Sequence, residues 1–415
     1  MNAQNFLLFT VLCLALQAFP FSAPGEDLVW PQWRGPTRDG IIAKGAPWPK
    51  KISKKMLKQT WRREISKGYP GPIVSEKLVF TVETKGKNEF VRAFDRSSGE
   101  QKWEAQWPGS MSVPFFAWKN GSWVRSTPAY DGKNLYVGGM RDFLVCLDAS
   151  NGSQKWSVDL MKRYKAPLPA FGFVCSPLVE GDHIYVQAGA GFVKLKSETG
   201  ESVWRTLDDK GGMYGSAFSS PTTAKLGGIE QLVVQTRTEL TGVEPDNGKV
   251  LWKRPIKAFR GMNILTPVIF GQSVFTSSYG GKSLLFDLAK DANGFSIDQK
   301  WENKQEGYMS SPIVIDGFCY IHLRKQRMTC IDLSNGATKW ISSESFGKYQ
   351  SMVSNGKEIL ALDEDGTLYQ IEANPEKLVI KDKRTISDSP TWAHLAIAGN
   401  QLFVRELEAI ACYEW

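Results

Sequence analysis

The chain has 415 residues, of which 42% are hydrophobic and 12% aromatic, and its formal net charge is +8. This composition supplies ample apolar material for a hydrophobic core, which excludes a chain that stays unfolded for lack of one. The positive balance fits either an anionic partner or simply solubility, so charge alone does not indicate a nucleic-acid-binding protein.

The first segment has the pattern of a secretory leader. Residues 6–19, FLLFTVLCLALQAF, form an apolar run that is too short to span a bilayer comfortably, and SAPGE follows it. This pattern predicts a signal peptide over residues 1–25, although no Lys or Arg precedes the apolar run. Leu12 stands where a lipoprotein signal needs a small residue, so we interpret Cys13 as part of the leader. We expect an exported protein of the periplasm or cell envelope without a transmembrane segment.

An irregular arm is predicted next, over residues 26–56. Its segment WPQWRGPTRDG, residues 30–40, is rich in Trp, Pro and Gly and has no period of 2 or 3.6, so we expect it to lie against the folded domain. Residues 50–63 carry a basic run. We interpret this run as a solvated linker and expect no nucleic-acid partner, because exported proteins seldom meet nucleic acid.

A repeated hairpin organises the rest of the chain. In residues 144–160, LVCLDASNGSQKWSVDL, an alternating strand leads to Asn151-Gly152, whose tolerance of positive φ predicts a tight turn, and the return strand contains Trp156. Copies of this hairpin recur at spacings of 39 to 53 residues, the period of four-stranded propeller blades. The Trp residues of the other copies are Trp103, Trp204, Trp252, Trp301 and Trp340.

The repeat predicts an all-β, eight-bladed β-propeller of four-stranded antiparallel blades over residues 57–415. The blades are predicted at residues 70–107, 126–160, 175–207, 219–256, 265–303, 310–344, 350–384 and 391–415. The last unit lacks a fourth strand, whereas Trp61 lies in a strand-like segment, residues 57–65, that has no blade before it. We therefore expect the N-terminal strand to complete the last blade and close the ring, which removes its exposed sheet edges.

Two motifs define each unit and carry a family resemblance. The inner strand opens with a small residue and Pro, as in Thr127-Pro128 and Ser311-Pro312, and the outer hairpin follows the pattern of an apolar residue, Asp, Gly and Trp. This repeat resembles the pyrroloquinoline-quinone-like propeller repeat. Eight such blades are similar to the quinoprotein alcohol dehydrogenases and to the BamB-type periplasmic propellers that assist outer-membrane β-barrel assembly. The opening and closing segments also resemble exported propellers of planctomycete-type bacteria.

The resemblance implies the fold more than the function, because one fold hosts many sites. The quinoprotein enzymes use a catalytic Asp, a calcium ion held partly by Glu and Asn, and a disulfide between adjacent Cys residues. No two Cys are adjacent in this chain, and none of those catalytic positions can be matched. We therefore assign no catalytic residue and expect no cofactor, and pyrroloquinoline quinone with calcium stays as the alternative.

Cysteine and histidine do not indicate a metal site. Removing the leader leaves Cys146, Cys175, Cys319, Cys330 and Cys412. The number is odd, and three of these residues share one loosely occupied repeat position, which indicates packing. A single bridge between Cys319 and Cys330 stays open. The three His residues are strand residues without the spacing of a metal site, so no metal is expected.

The loops that enter the inner strands are predicted to converge at the mouth of the central channel. Their aromatic and Arg side chains could stack a planar or sugar ligand and pair with an anionic group, or they could simply plug the channel. The loop 106–125 is long and aromatic, and it could cover the mouth, dock a partner or be packed down. The candidate ligand-binding residues are Tyr69, Arg125, Tyr214, Arg260, Tyr308, Tyr349, Trp392 and His394.

These features predict an exported, non-catalytic binding or scaffold propeller. It is expected to act as a monomer through its loop-rich face on a protein or glycan partner in the cell envelope. Two alternatives stay open, namely a quinoprotein dehydrogenase or quinone-binding remnant, and a carbohydrate-binding propeller.

Overall fold

The computed structural model of the protein describes residues 28–209 and 216–415, and their regular structure is almost entirely β-sheet. The strands form eight sheets of four antiparallel strands each, so the predicted eight-bladed fold is confirmed. The predicted signal peptide lies outside the described residues. The helical segments among the described residues are α1 (Leu160–Tyr164) and the 3₁₀ turns Phe115–Asn120 and Phe259–Gly261, and none of them is long and apolar enough to cross a membrane.

The strands follow the chain order of the predicted blades. The first strand is β1 (Lys58–Glu64). Blades 1 to 4 comprise β2 (Ile73–Val74), β3 (Leu78–Lys85), β4 (Asn88–Asp95), β5 (Gln101–Pro108); β6 (Ala129–Tyr130), β7 (Asn134–Gly139), β8 (Phe143–Asp148), β9 (Gln154–Asp159); β10 (Leu178–Glu180), β11 (His183–Gln187), β12 (Phe192–Lys196), β13 (Ser202–Thr206); β14 (Thr222–Leu226), β15 (Ile229–Gln235), β16 (Glu239–Val243), β17 (Val250–Pro255). Blades 5 to 8 comprise β18 (Val268–Phe270), β19 (Ser273–Ser277), β20 (Ser283–Asp291), β21 (Gly294–Asn303); β22 (Ile313–Ile315), β23 (Phe318–Leu323), β24 (Arg327–Asp332), β25 (Thr338–Ile341); β26 (Gln350–Ser354), β27 (Glu358–Asp363), β28 (Thr367–Glu372), β29 (Val379–Thr385); β30 (Ala396–Ala398), β31 (Gln401–Arg405), β32 (Ala409–Glu414).

The last blade contains both ends of the propeller sequence. Strand β1 pairs antiparallel with β32, and Trp61 lies opposite Cys412. The pairing continues beyond the strand, where the Ile65 N–H donates to the Glu408 carbonyl at 3.0 Å. The expected closure of the ring by the N-terminal strand is therefore observed.

The repeated Gly and Trp hold neighbouring blades together. The Trp103 indole N–H donates to the Ala149 carbonyl in the next blade at 3.1 Å. Gly152 of that blade lies under the same ring, and a Cβ there would come within 2.5 Å of it. Five glycines meet the Trp of the preceding blade in this way, namely Gly99, Gly152, Gly200, Gly248 and Gly336. The motif therefore recurs because it joins blades, in addition to turning the chain.

Only one of the two residues at the predicted turn adopts a positive φ. Gly152 has a positive φ of 76°, whereas Asn151 does not. The Gly152 N–H donates to the Asp148 carbonyl at 2.8 Å, and a β-bulge separates Cys146 from Leu147. The predicted hairpin is confirmed, and only one position of its turn is left-handed.

The five cysteines of the described chain are buried free thiols. In the ladder between β23 and β24, Cys319 lies opposite Ile331 and Cys330 lies opposite Tyr320. The bridge between Cys319 and Cys330 that the sequence left open is therefore not formed in this structure.

The arm enters the central channel at the end opposite the mouth loops. Trp30 exchanges backbone hydrogen bonds with Val74, at the end of inner strand β2, at 2.7 and 2.9 Å. Farther along the arm, the Ile42 N–H donates to the Ser354 carbonyl of blade 7 at 2.8 Å. The sequence predicted an arm lying against the domain, whereas the structure inserts residues 30–42 into the ring.

Two buried guanidinium groups fix the arm inside the channel. Arg38 donates to the carbonyls of Ser176 at 3.1 Å and Pro177 at 2.8 Å. Arg34 donates to the Pro312 carbonyl on the other side of the ring. Both Arg side chains are fully buried, and burial lowers the pKa of each to about 10. The arm therefore links blades 3 and 6 across the channel.

Candidate functional site

A cavity of about 320 Å³ lies at the mouth of the channel, above the inserted arm. It is formed by the loops that precede the inner strands, as the sequence suggested. Seven of the predicted residues line it, namely Tyr69, Arg125, Arg260, Tyr308, Tyr349, Trp392 and His394. Tyr214 lies outside the described residues. The structure therefore brings the seven together, and their role in binding stays a prediction.

Further residues of this mouth pocket were not predicted individually. Trp33 of the arm forms its floor, and four Phe side chains extend the apolar wall, namely Phe116, Phe171, Phe218 and Phe259. Phe171 and Phe218 stand in the loops FGFVCSP and YGSAFSSP, just before the small residue and Pro. Their position in those loops was the available signal, because each such loop enters the mouth.

Stacked aromatic rings form one side of the pocket. The ring centroids of Tyr69 and Trp392 are 5.4 Å apart with an interplanar angle of 27°, and Tyr349 stacks on Trp392 at 6.3 Å. Tyr308 belongs to a second cluster, with its centroid 4.9 Å from that of Tyr279. Offset stacking of this kind stabilises neighbouring rings and leaves flat faces for a ligand.

Arg125 brings positive charge to the aromatic wall. Its guanidinium carbon lies 5.4 Å from the centroid of the Tyr69 ring, and its Nη2 donates to the Gly121 carbonyl at 2.7 Å. Its Nε has no hydrogen-bond partner within the described chain. Burial lowers the pKa of Arg125, as expected for a cation without a neighbouring carboxylate.

Hydroxyl groups of the inner-strand motif line the pocket wall. The Gly71 N–H donates to Thr127 Oγ1 at 2.9 Å, the Ser176 N–H donates to Ser220 Oγ at 2.9 Å, and the Ser220 N–H donates to Thr266 Oγ1 at 3.0 Å. This explains the small residue before Pro, because each hydroxyl accepts from the neighbouring blade. A hydroxyl is also a donor, so the wall can donate hydrogen bonds to a ligand.

His394 lies where the mouth meets the arm. Its ring is 6.0 Å from that of Trp33 in an edge-to-face arrangement, and its Nδ1 lies 2.9 Å from the Leu395 carbonyl. Burial, helped by the positive charge of Arg34, lowers the pKa of His394 to about 3. The imidazole is therefore neutral at ordinary pH, and Nδ1 donates to the carbonyl.

The pocket does not fit a calcium–quinone centre. Among the described residues, no Asp or Glu side chain lines it, and no group of three His, Cys, Asp or Glu could hold a metal ion. Calcium requires several oxygen ligands, usually carboxylates. The residues present therefore do not reproduce the quinoprotein site, and no reaction step is derived from it.

An exposed aromatic turn forms part of the rim. This aromatic turn is the 3₁₀ segment Phe115–Asn120, and Phe116, Ala117 and Asn120 line the pocket. The other side of the turn points outward, and Phe115 is 86% exposed. The loop that was expected to cover the mouth, dock a partner or be packed down therefore borders the pocket and also projects from it.

Comparisons with known proteins agree with this architecture. The profile of a family described as outer membrane protein assembly factor BamB matches residues 87–342. The BamB protein of Moranella endobia is 23% identical over 328 residues, which cover 75% of this chain and 77% of that protein. The BamB protein of Yersinia pestis is 19% identical over 377 residues, which cover 87% and 89%.

Solved structures show the same fold. BamB from Moraxella catarrhalis superposes with a TM-score of 0.62 at 14% identity, covering 86% of this chain and 98% of that one. The quinohemoprotein alcohol dehydrogenase ADHIIG from Pseudomonas putida superposes with a TM-score of 0.66 at 12% identity, covering 94% and 80%. At these identities the likeness concerns the fold and does not choose between a binding protein and an enzyme.

Proposed function

The chain belongs to the family of outer membrane protein assembly factor BamB, and from this premise we propose that it is an exported, non-catalytic binding propeller of the cell envelope. Its partner is a polypeptide held by the mouth pocket and the surrounding loops. The relatives are described as assembly factors for outer membrane proteins, which supports a scaffold that binds other proteins.

The mouth pocket is the observation that carries this proposal. It combines flat aromatic faces with hydroxyl donors and the Arg125 guanidinium, and within the described chain no carboxylate lines it. Apolar side chains of a partner would cover the rings, and its carbonyl or carboxylate oxygens would accept from the donors. Tyr, Trp and Arg are the residues that most often dominate binding energy at interfaces.

The titratable groups of the pocket support a non-catalytic role. A general acid or base acts best when its pKa lies near the working pH. His394 is neutral with a pKa of about 3, and burial raises the pKa values of Tyr69 and Tyr308 above the ordinary value for Tyr. Across the physiological pH range, the two Tyr hydroxyls therefore stay protonated and the His394 imidazole stays neutral.

A glycan is the second candidate partner. The nearly parallel rings of Tyr69 and Trp392 present flat faces beside Ser and Thr hydroxyls. Sugars stack on such faces and exchange hydrogen bonds with hydroxyl groups, so the same pocket chemistry also suits a carbohydrate.

A photo-crosslinking experiment tests the proposal. We would replace Tyr308 by p-benzoylphenylalanine in the native host and irradiate intact cells. We expect an adduct with an envelope polypeptide, and we expect Trp392→Ala in the same chain to reduce its yield about thirtyfold or more, since an aromatic hot spot at an interface contributes about 2 kcal/mol or more. The matched control places the same group at Val203, which is exposed in β13.

The outcomes separate the candidate functions. A polypeptide adduct from position 308 and none from position 203 would support the proposal. If a glycosidase removes the adduct and a protease does not, the partner is a glycan and not a polypeptide. Equal adducts from both positions, or none from the mouth, would contradict binding at the pocket.

A further inference from the structure

The aromatic turn exposes three large apolar side chains to solvent. Phe115 is 86% exposed, Trp118 is 68% exposed and Phe116 is 45% exposed, whereas Ala117 is buried. Three large aromatic side chains within four residues form a contiguous apolar patch. Such patches mark sites that meet another apolar surface.

The turn is held in one shape. The Ala117 N–H donates to the Pro114 carbonyl at 2.8 Å, and the Gly121 N–H donates to the Trp118 carbonyl at 3.0 Å. The Tyr69 hydroxyl donates to the Asn120 carbonyl at 2.8 Å, which ties the turn to the mouth. The aromatic side chains are therefore presented by a fixed projection, and little ordering is needed when they bind.

The loop that carries the turn is positively charged. No Asp or Glu occurs between Glu104 and Asp131. Lys119 belongs to the turn, the Lys87 carbonyl accepts from the backbone of the same loop, and Arg141 borders the shallow depression beside it. None of these three cations forms an ion pair within the described residues.

The carboxylate beneath this loop does not neutralise the charge at the surface. Glu89 is fully buried beneath the loop, where it accepts from the Trp107 indole at 2.8 Å and the Met140 N–H at 2.7 Å. The exposed surface around the aromatic turn therefore combines Phe and Trp with Lys and Arg and contains no exposed acid between residues 105 and 130.

From this arrangement we infer that the aromatic turn inserts into the interfacial zone of an anionic lipid bilayer. Trp and Phe partition into that zone, and Lys and Arg beside them attract anionic headgroups. The turn projects from the surface, and a projecting aromatic wedge suits a soft bilayer better than a flat protein face. This function goes beyond partner binding in the mouth pocket and does not depend on it.

A site-specific probe tests this inference. The eight blades lie within the described residues, so the test protein begins at residue 26. It lacks the apolar run 6–19, because that run could itself enter a bilayer. Phe115→Cys would be labelled with an environment-sensitive dye, since the five native thiols are buried. We expect a blue shift with vesicles of phosphatidylcholine and phosphatidylglycerol, and no shift from the same dye at Val203→Cys.

Unlabelled variants measure the strength of the contact. We expect Phe115→Ser/Trp118→Ser to reduce vesicle co-sedimentation about tenfold or more, because two large apolar side chains are lost. Val203→Ser/Ile341→Ser, which changes two exposed apolar residues of the outer strands, should bind like the unaltered chain. Lys119→Glu should weaken binding about fivefold or more, and only for vesicles that contain phosphatidylglycerol.

Three results with vesicles would overturn the inference. The first is that the unaltered chain does not associate with vesicles at low salt. The second is that Phe115→Ser/Trp118→Ser associates with vesicles as well as the unaltered chain does. The third is that the dye at position 115 has the emission of a water-exposed dye in the sedimented complex. Capture of a protein that needs Phe115 and Trp118 while vesicles are ignored would assign the turn to a protein interface and would also overturn it. Circular dichroism spectra of all variants establish that the fold is retained.

Discussion

The inserted arm and the mouth loops of the central channel both use Trp and Arg, and they pair these residues differently. At the arm end, Arg34 and Arg38 donate to carbonyls of the inner strands and are fully buried. At the mouth, Arg125 lies against Tyr69 beside an open cavity, and within the described chain its guanidinium makes one hydrogen bond, to the Gly121 carbonyl. Residue type alone therefore does not separate a structural end from a binding end, whereas the number of internal hydrogen bonds does.

The difference has an energetic basis. Each inner-strand carbonyl that a buried guanidinium pairs would be left without a partner if the guanidinium were removed. At the mouth, the Arg125 guanidinium borders the cavity with one internal hydrogen bond and can gain a new partner from a ligand. The arm end is thus predicted to serve stability, and the mouth is predicted to serve binding.

The largest effect is expected from breaking the arm end. Arg34→Met/Arg38→Met removes the donors of the Ser176, Pro177 and Pro312 carbonyls. Each unsatisfied buried carbonyl costs about 1–3 kcal/mol, so we expect the free energy of unfolding to fall by at least about 3 kcal/mol.

Urea denaturation would measure this loss against a matched control in the same arm. Lys44→Met changes an exposed side chain and should leave the free energy of unfolding within about 0.5 kcal/mol of that of the unaltered chain. If the double variant were as stable as this control, the buried Arg residues would not hold the arm, and the contrast between the two ends would fail.

The blades could be predicted from the sequence because their determinants are local. The Gly152 and Trp156 motif, the small residue before Pro and the strand alternation all lie within single repeat units. The loops that enter the mouth follow from the same motif, which explains why Tyr308, Trp392 and their neighbours in the pocket could be named in advance.

The insertion of the arm could not be predicted from such local patterns. Arg38 pairs with Pro177, which is 139 residues away, and Arg34 pairs with Pro312, which is 278 residues away. The acceptors are backbone carbonyls, which no residue type marks in a sequence. Trp33 joined the pocket floor for the same reason, since its place depends on where the arm enters.

His394 lies between the arm and the mouth, and its pKa predicts how the stability of the fold depends on pH. Its pKa is about 3 in the folded state because burial and Arg34 disfavour the charged ring, against an ordinary value of about 6.5 in the unfolded chain. Below pH 6.5 the unfolded state takes up a proton that the folded state refuses, so stability falls as pH decreases. Between pH 7 and pH 5 this group should cost about 2 kcal/mol.

The variant His394→Gln isolates that contribution. Its free energy of unfolding should fall less between pH 7 and pH 5 than that of the unaltered chain, by about 2 kcal/mol. The other buried His, His322, is present in both proteins and cancels in the comparison. Parallel pH profiles for the two proteins would mean that His394 is solvated, and that the arm does not seal the floor of the pocket.

The smallest effect on stability is expected at the mouth itself. Arg125→Met removes one hydrogen bond, to the Gly121 carbonyl, and it also relieves the burial of an unpaired cation, so these two effects oppose each other. We expect the free energy of unfolding to change by less than about 1 kcal/mol, while crosslinking of a partner from position 308 falls. A loss of stability as large as that of the arm variant would make Arg125 a structural residue, because a side chain that the ring needs for folding would not be free to serve a ligand. Retained stability with reduced crosslinking would establish that the arm serves stability and that the mouth serves binding.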